Sequence, residues 1–71
     1  MKINVYKAFT KDILFHFESS ITPNKEDYFT FNNHLFEVKE RVFNMGILNT
    51  DNYIYVDLYV NDYGEFKDKH L

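Results

Sequence analysis

Asn52–Asp62 reads Asn-Tyr-Ile-Tyr-Val-Asp-Leu-Tyr-Val-Asn-Asp. Successive side chains of a β-strand turn to opposite faces. Ile54, Val56, Leu58 and Val60 therefore share one face, and Tyr53, Tyr55, Asp57 and Tyr59 share the other. Alternation this regular predicts a half-buried strand with an aliphatic face on a core. The chain upstream must supply partner strands for that face, and the role of the tyrosine face becomes the functional question.

Upstream, Lys2–Ala8 reads as a first strand, with Ile3 and Val5 on one side and Asn4 and Tyr6 on the other. Phe9-Thr10-Lys11-Asp12 is turn-tolerant. Ile13–Glu18 follows as a second strand, placing Ile13, Phe15 and Phe17 in one apolar row and Leu14, His16 and Glu18 opposite. The two should form a hairpin. Ser19–Asp27 is a connection in which Pro23 fixes its own φ and Asn24 favours a turn, with room for one helical turn over Pro23–Glu26.

Tyr28–Phe31 is a short strand with Phe29 and Phe31 on one face. Asn32-Asn33 suits a two-residue hairpin, because asparagine tolerates positive φ. His34–Phe43 then returns with Phe36 and Val38 facing the core and Leu35, Glu37, Lys39 and Arg41 on the other side. A bulge near Glu40 would decide whether Val42 or Phe43 turns inward. Helix is the competing reading for Leu35–Met45, since its apolar positions partly fit a helical stripe; the Asn-Asn hairpin signal favours strand.

Asn44–Asn52 is expected as a loop, with Gly46 permitting unusual φ and Ile47 and Leu48 plugging one end of the core. Asn61-Asp62-Tyr63-Gly64 looks like a type I turn with Gly64 in the left-handed position, a three-residue hairpin with a bulge. Glu65–Lys69 would be a short last strand carrying Phe66, or a frayed tail.

These elements predict an all-β fold of five or six antiparallel strands, a meander curling into a small barrel or compact sheet. The expected core is Ile3, Val5, Ile13, Phe15, Phe17, Phe29, Phe31, Phe36, Val38, Ile54, Val56, Leu58 and Val60.

The middle of the chain carries a proline (Pro23), an acidic pair (Glu26-Asp27), Tyr28-Phe29-Thr30-Phe31, a two-residue turn and Leu35-Phe36-Glu37-Val38-Lys39-Glu40-Arg41. Over roughly Pro23–Val42 this resembles small SH3-like β-barrel proteins, often uncharacterised and encoded by bacteriophages and other mobile elements. Glu26 stands where that pattern prefers glycine. The resemblance implies a fold and a phage or bacterial origin, and it transfers no catalytic residue.

A chain of 71 residues is one domain, residues 1–71, with one small core. It has no cysteine, so it has neither a disulfide nor a thiolate metal site, which suits a reducing cytoplasm. The amino terminus lacks a signal-peptide run and no stretch approaches a transmembrane helix. The expectation is a cytoplasmic protein, in the host cytoplasm if phage-encoded, with no membrane contact.

The formal charge of −3 and a single arginine leave no basic stripe of the kind nucleic-acid binders carry. Aromatic residues make up 20% of the chain. An AT-rich genome would raise Phe, Tyr, Asn, Lys and Ile together, but codon bias does not explain three tyrosines on one strand face.

Other chemistry finds little support. His16, His34 and His70 lack metal-ligand spacing, so no metal or cofactor is expected. Taking Gly64 as the sixth position of a calcium loop puts Tyr59 first, where aspartate is needed. Two glycines make no phosphate loop. Ser19 and Ser20 have no nucleophile elbow, and the carboxylate pairs Glu37/Glu40 and Glu26/Asp27 would need a deep cleft. No catalytic residue and no enzymatic activity are expected.

The face of Tyr53, Tyr55, Asp57 and Tyr59 is the predicted binding site. Tyrosine has high strand propensity and often simply pairs across an exposed sheet. It is also enriched at interfaces. The functional expectation is a non-enzymatic protein-binding or self-associating module, a phage or mobile-element accessory protein, whose partner is another protein or a second copy. The alternative is a small barrel that binds single-stranded nucleic acid by stacking bases on the same tyrosines. Asp57 and the acidic chain disfavour it.

Overall fold

The tyrosine strand lies at the centre of one five-stranded sheet. The computed structural model describes residues 1–65, in five strands: β1 (Lys2–Lys7), β2 (Ile13–Glu18), β3 (Tyr28–Phe31), β4 (His34–Leu48) and β5 (Asp51–Glu65). Their order is β2-β1-β5-β4-β3. Neighbours are antiparallel except β1 and β5, which run parallel with Ile3 beside Val56 and Val5 beside Leu58. The all-β expectation holds, but the sheet is not the expected antiparallel meander: the parallel pairing of the first and last strands makes it a strongly curled mixed sheet that forms a half-barrel. The strand reading of 35–45 prevails over the helical one.

The curl brings the two outermost strands face to face. Phe15 on β2 and Phe31 on β3 stack with ring centroids 4.0 Å apart, and Phe17 adds a second contact to Phe31 at 6.1 Å. Beneath them lies a core of seven buried side chains: Ile3, Val5, Phe36, Val38, Val56, Leu58 and Val60. Phe15, Phe17, Phe29 and Phe31 pack half-buried against it.

Irregular pairings set which side chains reach this core. Val5 pairs with Phe15 but Tyr6 pairs with Ile13, so Leu14 is the extra residue of a bulge. Leu14 consequently packs on the core and Ile13 is 59% exposed, the reverse of the alternation expected for that strand. On β4, Val38 pairs with Val60 and Glu40 with Tyr59, leaving Lys39 as the extra residue. The bulge expected near Glu40 is there, and it sends Phe43 to the core side. It sends Arg41 there as well, correcting its expected outward placement. Arg41 reaches the β2–β3 connection, donating to Thr22 Oγ1 at 3.1 Å and to Asn24 Oδ1.

Both asparagine turns are type I′. Asn32 and Asn33 have φ of 50° and 65°, and Asn49 and Thr50 have φ of 53° and 68°. The second turn overturns the expected loop at Asn44–Asn52. That stretch is instead the end of β4, a two-residue turn and the start of β5, paired from Gly46–Tyr53 to Leu48–Asp51. Ile47 and Leu48 plug nothing; they are 74% and 67% exposed. Ile54 lies on the same projecting ribbon and is 45% exposed, outside the core. The ribbon gives the molecule its elongated extents of 50 × 27 × 18 Å.

Gly64 is left-handed as expected, with φ of 81°, but it does not turn the chain. Phe36 pairs with Asp62 and His34 with Glu65, so the glycine accommodates a bulge within a continuous β5. Glu65 is the last described residue; the rest of the expected final strand, 66–69 with Phe66, lies outside the described residues, as does His70.

Candidate interaction face

Aromatic side chains partition by chemistry across the sheet. The strand phenylalanines 15, 17, 29, 31, 36 and 43 occupy the inner face, while all six tyrosines occupy the outer one. A buried tyrosine hydroxyl would need a hydrogen-bond partner, whereas on the outer face it meets water. Tyr53, Tyr55 and Tyr59 follow from the alternation of β5. Tyr6 and Tyr28 face outward because Ile3, Val5, Phe29 and Phe31 face inward.

The predicted site residues are brought together. Tyr53 and Tyr55 stack at 6.1 Å, with Tyr53 lying over the flat surface left by Gly46 on β4. A Cβ at position 46 would sit 2.5 Å from the Tyr53 hydroxyl. Tyr59 stacks on Tyr6 from β1 at 5.3 Å, and the Lys11 ammonium sits 4.5 Å from the Tyr59 ring centroid. Asp57 lies between the two aromatic pairs. Its Oδ1 accepts from Asn4 Nδ2 and its Oδ2 from Asn44 Nδ2, each at 3.1 Å. The carboxylate thus ties the outer faces of β1, β5 and β4 together and holds the tyrosines in register.

The stripe is wider than the four predicted residues. Tyr6 belongs to it, and partial burial together with the negative charge of Asp57 raises its pKa above the usual tyrosine value. A second cluster lies toward β3, where Tyr28 and Tyr63 are 6.3 Å apart and the Tyr63 hydroxyl donates to Glu37 Oε1 at 2.7 Å. That hydrogen bond to a carboxylate raises the Tyr63 pKa. Strand parity at Phe29 signals the outward placement of Tyr28; Tyr63 keeps the parity of Tyr59 along β5 and is hidden only by the turn expected at Asn61–Gly64.

Positive charge near the stripe is sparse. Lys11 caps Tyr59, and Lys2 is the β1 neighbour of Tyr55. Lys39 lies 3.9 Å from Glu37, and Arg41 is on the other face. The surface hollows are open; one of about 690 Å³ lies at the β1–β2 turn beside Phe9, Asn61 and Tyr63. Comparison with protein-family models, curated proteins and solved structures finds no match to this chain.

Proposed function

We propose that this protein is a non-enzymatic protein-binding module that contacts its partner through the outer tyrosine face. The observation that carries this reading is the gathering of all six tyrosines on one face that no other described strand covers, with Tyr28, Tyr53 and Tyr63 each about half exposed. Tyrosine offers a large, stiff contact area with a polar tip, at low conformational cost. The Asn4–Asp57–Asn44 bridge orders that surface before a partner arrives, which lowers the entropy cost of binding. The half-barrel fits an SH3-like small barrel, and a phage or mobile-element accessory role in a bacterial cytoplasm is part of the proposal.

The test is capture from a bacterial lysate at low and high salt, with wild type and Tyr55→Lys as paired baits. A protein retained at high salt by wild type and lost with Tyr55→Lys supports the reading. Capture of nucleic acid that falls steeply as salt rises would replace it with the single-stranded nucleic-acid alternative.

A further inference from the structure

The outer face does not account for the ribbon formed by the ends of β4 and β5. An isolated two-stranded ribbon is marginal in water, yet this one extends past the edge of β1, whose pairing with β5 begins at Tyr55. Its inner face carries Met45, Ile47 and Ile54 and its outer face Leu48, and the adjoining part of β4 adds Phe43 on the inner face and Val42 on the outer, all at 43–74% exposure. Apolar side chains thus stand in water on both faces of this end of the sheet, flanking the β4 edge, where a second strand would cover them.

The β4 side of the ribbon is also an open sheet edge. β3 pairs with β4 only over His34–Phe31 to Glu37–Tyr28, and Val38 is held by backbone bonds to Glu26 and Asp27. From Glu40 to Leu48 no described strand covers that side. Exposed edges are ordinarily blunted by charge or proline. Val42–Leu48, Val-Phe-Asn-Met-Gly-Ile-Leu, has neither.

We infer that this edge pairs with the same edge of a second copy, antiparallel, about a two-fold axis at Met45. Two features fix the register. In a two-residue hairpin the flanking pair, here Leu48 and Asp51, exchanges backbone hydrogen bonds, and the bonded pairs alternate from there. Phe43, Met45 and Ile47 therefore direct their N–H and C=O groups toward the open side. Directly opposed residues must also share a face, so the axis passes through a residue. Centred on Met45, Phe43 meets Ile47 and Val42 meets Leu48, apolar against apolar on both faces, and no charge opposes a like charge. Centred on Asn44, Arg41 would oppose Ile47 and Glu40 would oppose Leu48.

The pairing makes one continuous sheet in which both tyrosine faces lie on the same side, doubling the surface proposed for partner binding. The inference uses a different surface from that proposal and stands independently of it.

Sedimentation velocity from low micromolar to several hundred micromolar tests it. Wild type is expected to dimerise. Met45→Lys and Met45→Glu, both on the exposed ribbon, are each expected to remain folded monomers, and an equimolar mixture of the two should recover the dimer. Tyr55→Lys should dimerise like wild type. Because the chain has no cysteine, Met45→Cys offers a second readout. A bonded antiparallel pair places Cα atoms about 5.5 Å apart, within disulfide range, so Met45→Cys should cross-link faster than Val42→Cys. A wild type that stays monomeric throughout, a dimer that persists in Met45→Lys, or a mixture that fails to associate overturns the inference. If Tyr55→Lys breaks a dimer that Met45→Lys leaves intact, self-association belongs to the tyrosine face instead.

Discussion

The rings of Phe15 and Phe31 lie nearly parallel, 8° apart in tilt, although their strands are the two outermost of the sheet. Side chains thus close the half-barrel between edges that share no backbone ladder. Stacked aromatic pairs contribute about 0.5–1.5 kcal/mol beyond the area they bury. A double-mutant cycle on Phe15→Leu and Phe31→Leu, followed by urea unfolding, should give a coupling energy of about 1 kcal/mol. Additive losses would mean that the edges do not meet in solution.

Burial differs sharply along the aliphatic face of β5. Leu58 is fully buried and Ile54 is 45% exposed. Leu58→Ala should cost about 3 kcal/mol, a large part of the roughly 4–10 kcal/mol expected for a domain of this size. Ile54→Ala should cost under about 1 kcal/mol when measured at concentrations too low for association. Equal losses at the two positions would place the ribbon inside the core.

Glu26 has φ of 76° at the third position of a turn closed by the Asp27 N–H to the Asn24 carbonyl. This is where a type II turn prefers glycine. Glu26→Gly should raise stability by about 0.5–1 kcal/mol, the relief from left-handed strain less the added chain entropy of glycine. A lower urea midpoint would show that the carboxylate has a compensating role.

Tyr6 and Tyr63 both have pKa values raised above 10.0, so the folded state holds those protons more tightly than the unfolded chain. Stability from this source is complete below pH 10, declines as the unfolded tyrosines ionise first, and is lost as pH rises through the folded values. Urea midpoints should therefore be flat through neutral pH and fall above about 10. Tyr6→Phe should make that fall shallower, and an unchanged slope would argue against the origin proposed here.

Much of this fold was legible in local sequence, because alternation and turn chemistry are short-range. The ends of Ile13–Glu18 and Tyr28–Phe31, the Asn32-Asn33 turn and the buried faces of Val56, Leu58 and Val60 all follow from them. Missed features arise where one residue breaks the period of two. The bulge at Leu14 reverses the faces of Ile13 and Leu14, and the bulge at Lys39 moves Arg41 inward. Asn49-Thr50 was obscured because threonine is a weak signal for the positive φ that this turn requires. Ile47 and Leu48 read as plugs because apolar residues ordinarily seek burial; nothing local reveals that the strands run on past the core. The four predicted outer residues share one strand, so their proximity was readable, whereas Tyr6 joins them through a parallel pairing between distant segments.

The central claim is that neighbouring residues of β5 have opposite roles, one holding the fold and the next presenting a surface. Tyr55→Lys and Val56→Lys, compared by circular dichroism and urea unfolding, test it most directly. Val56 is fully buried and Tyr55 lies on the outer face. Val56→Lys places a charge in the core and should unfold the domain. Tyr55→Lys should keep the wild-type spectrum and lose no more than about 1 kcal/mol of strand propensity and packing. If Tyr55→Lys unfolds the chain as Val56→Lys does, the tyrosines are structural and the face assignment is wrong.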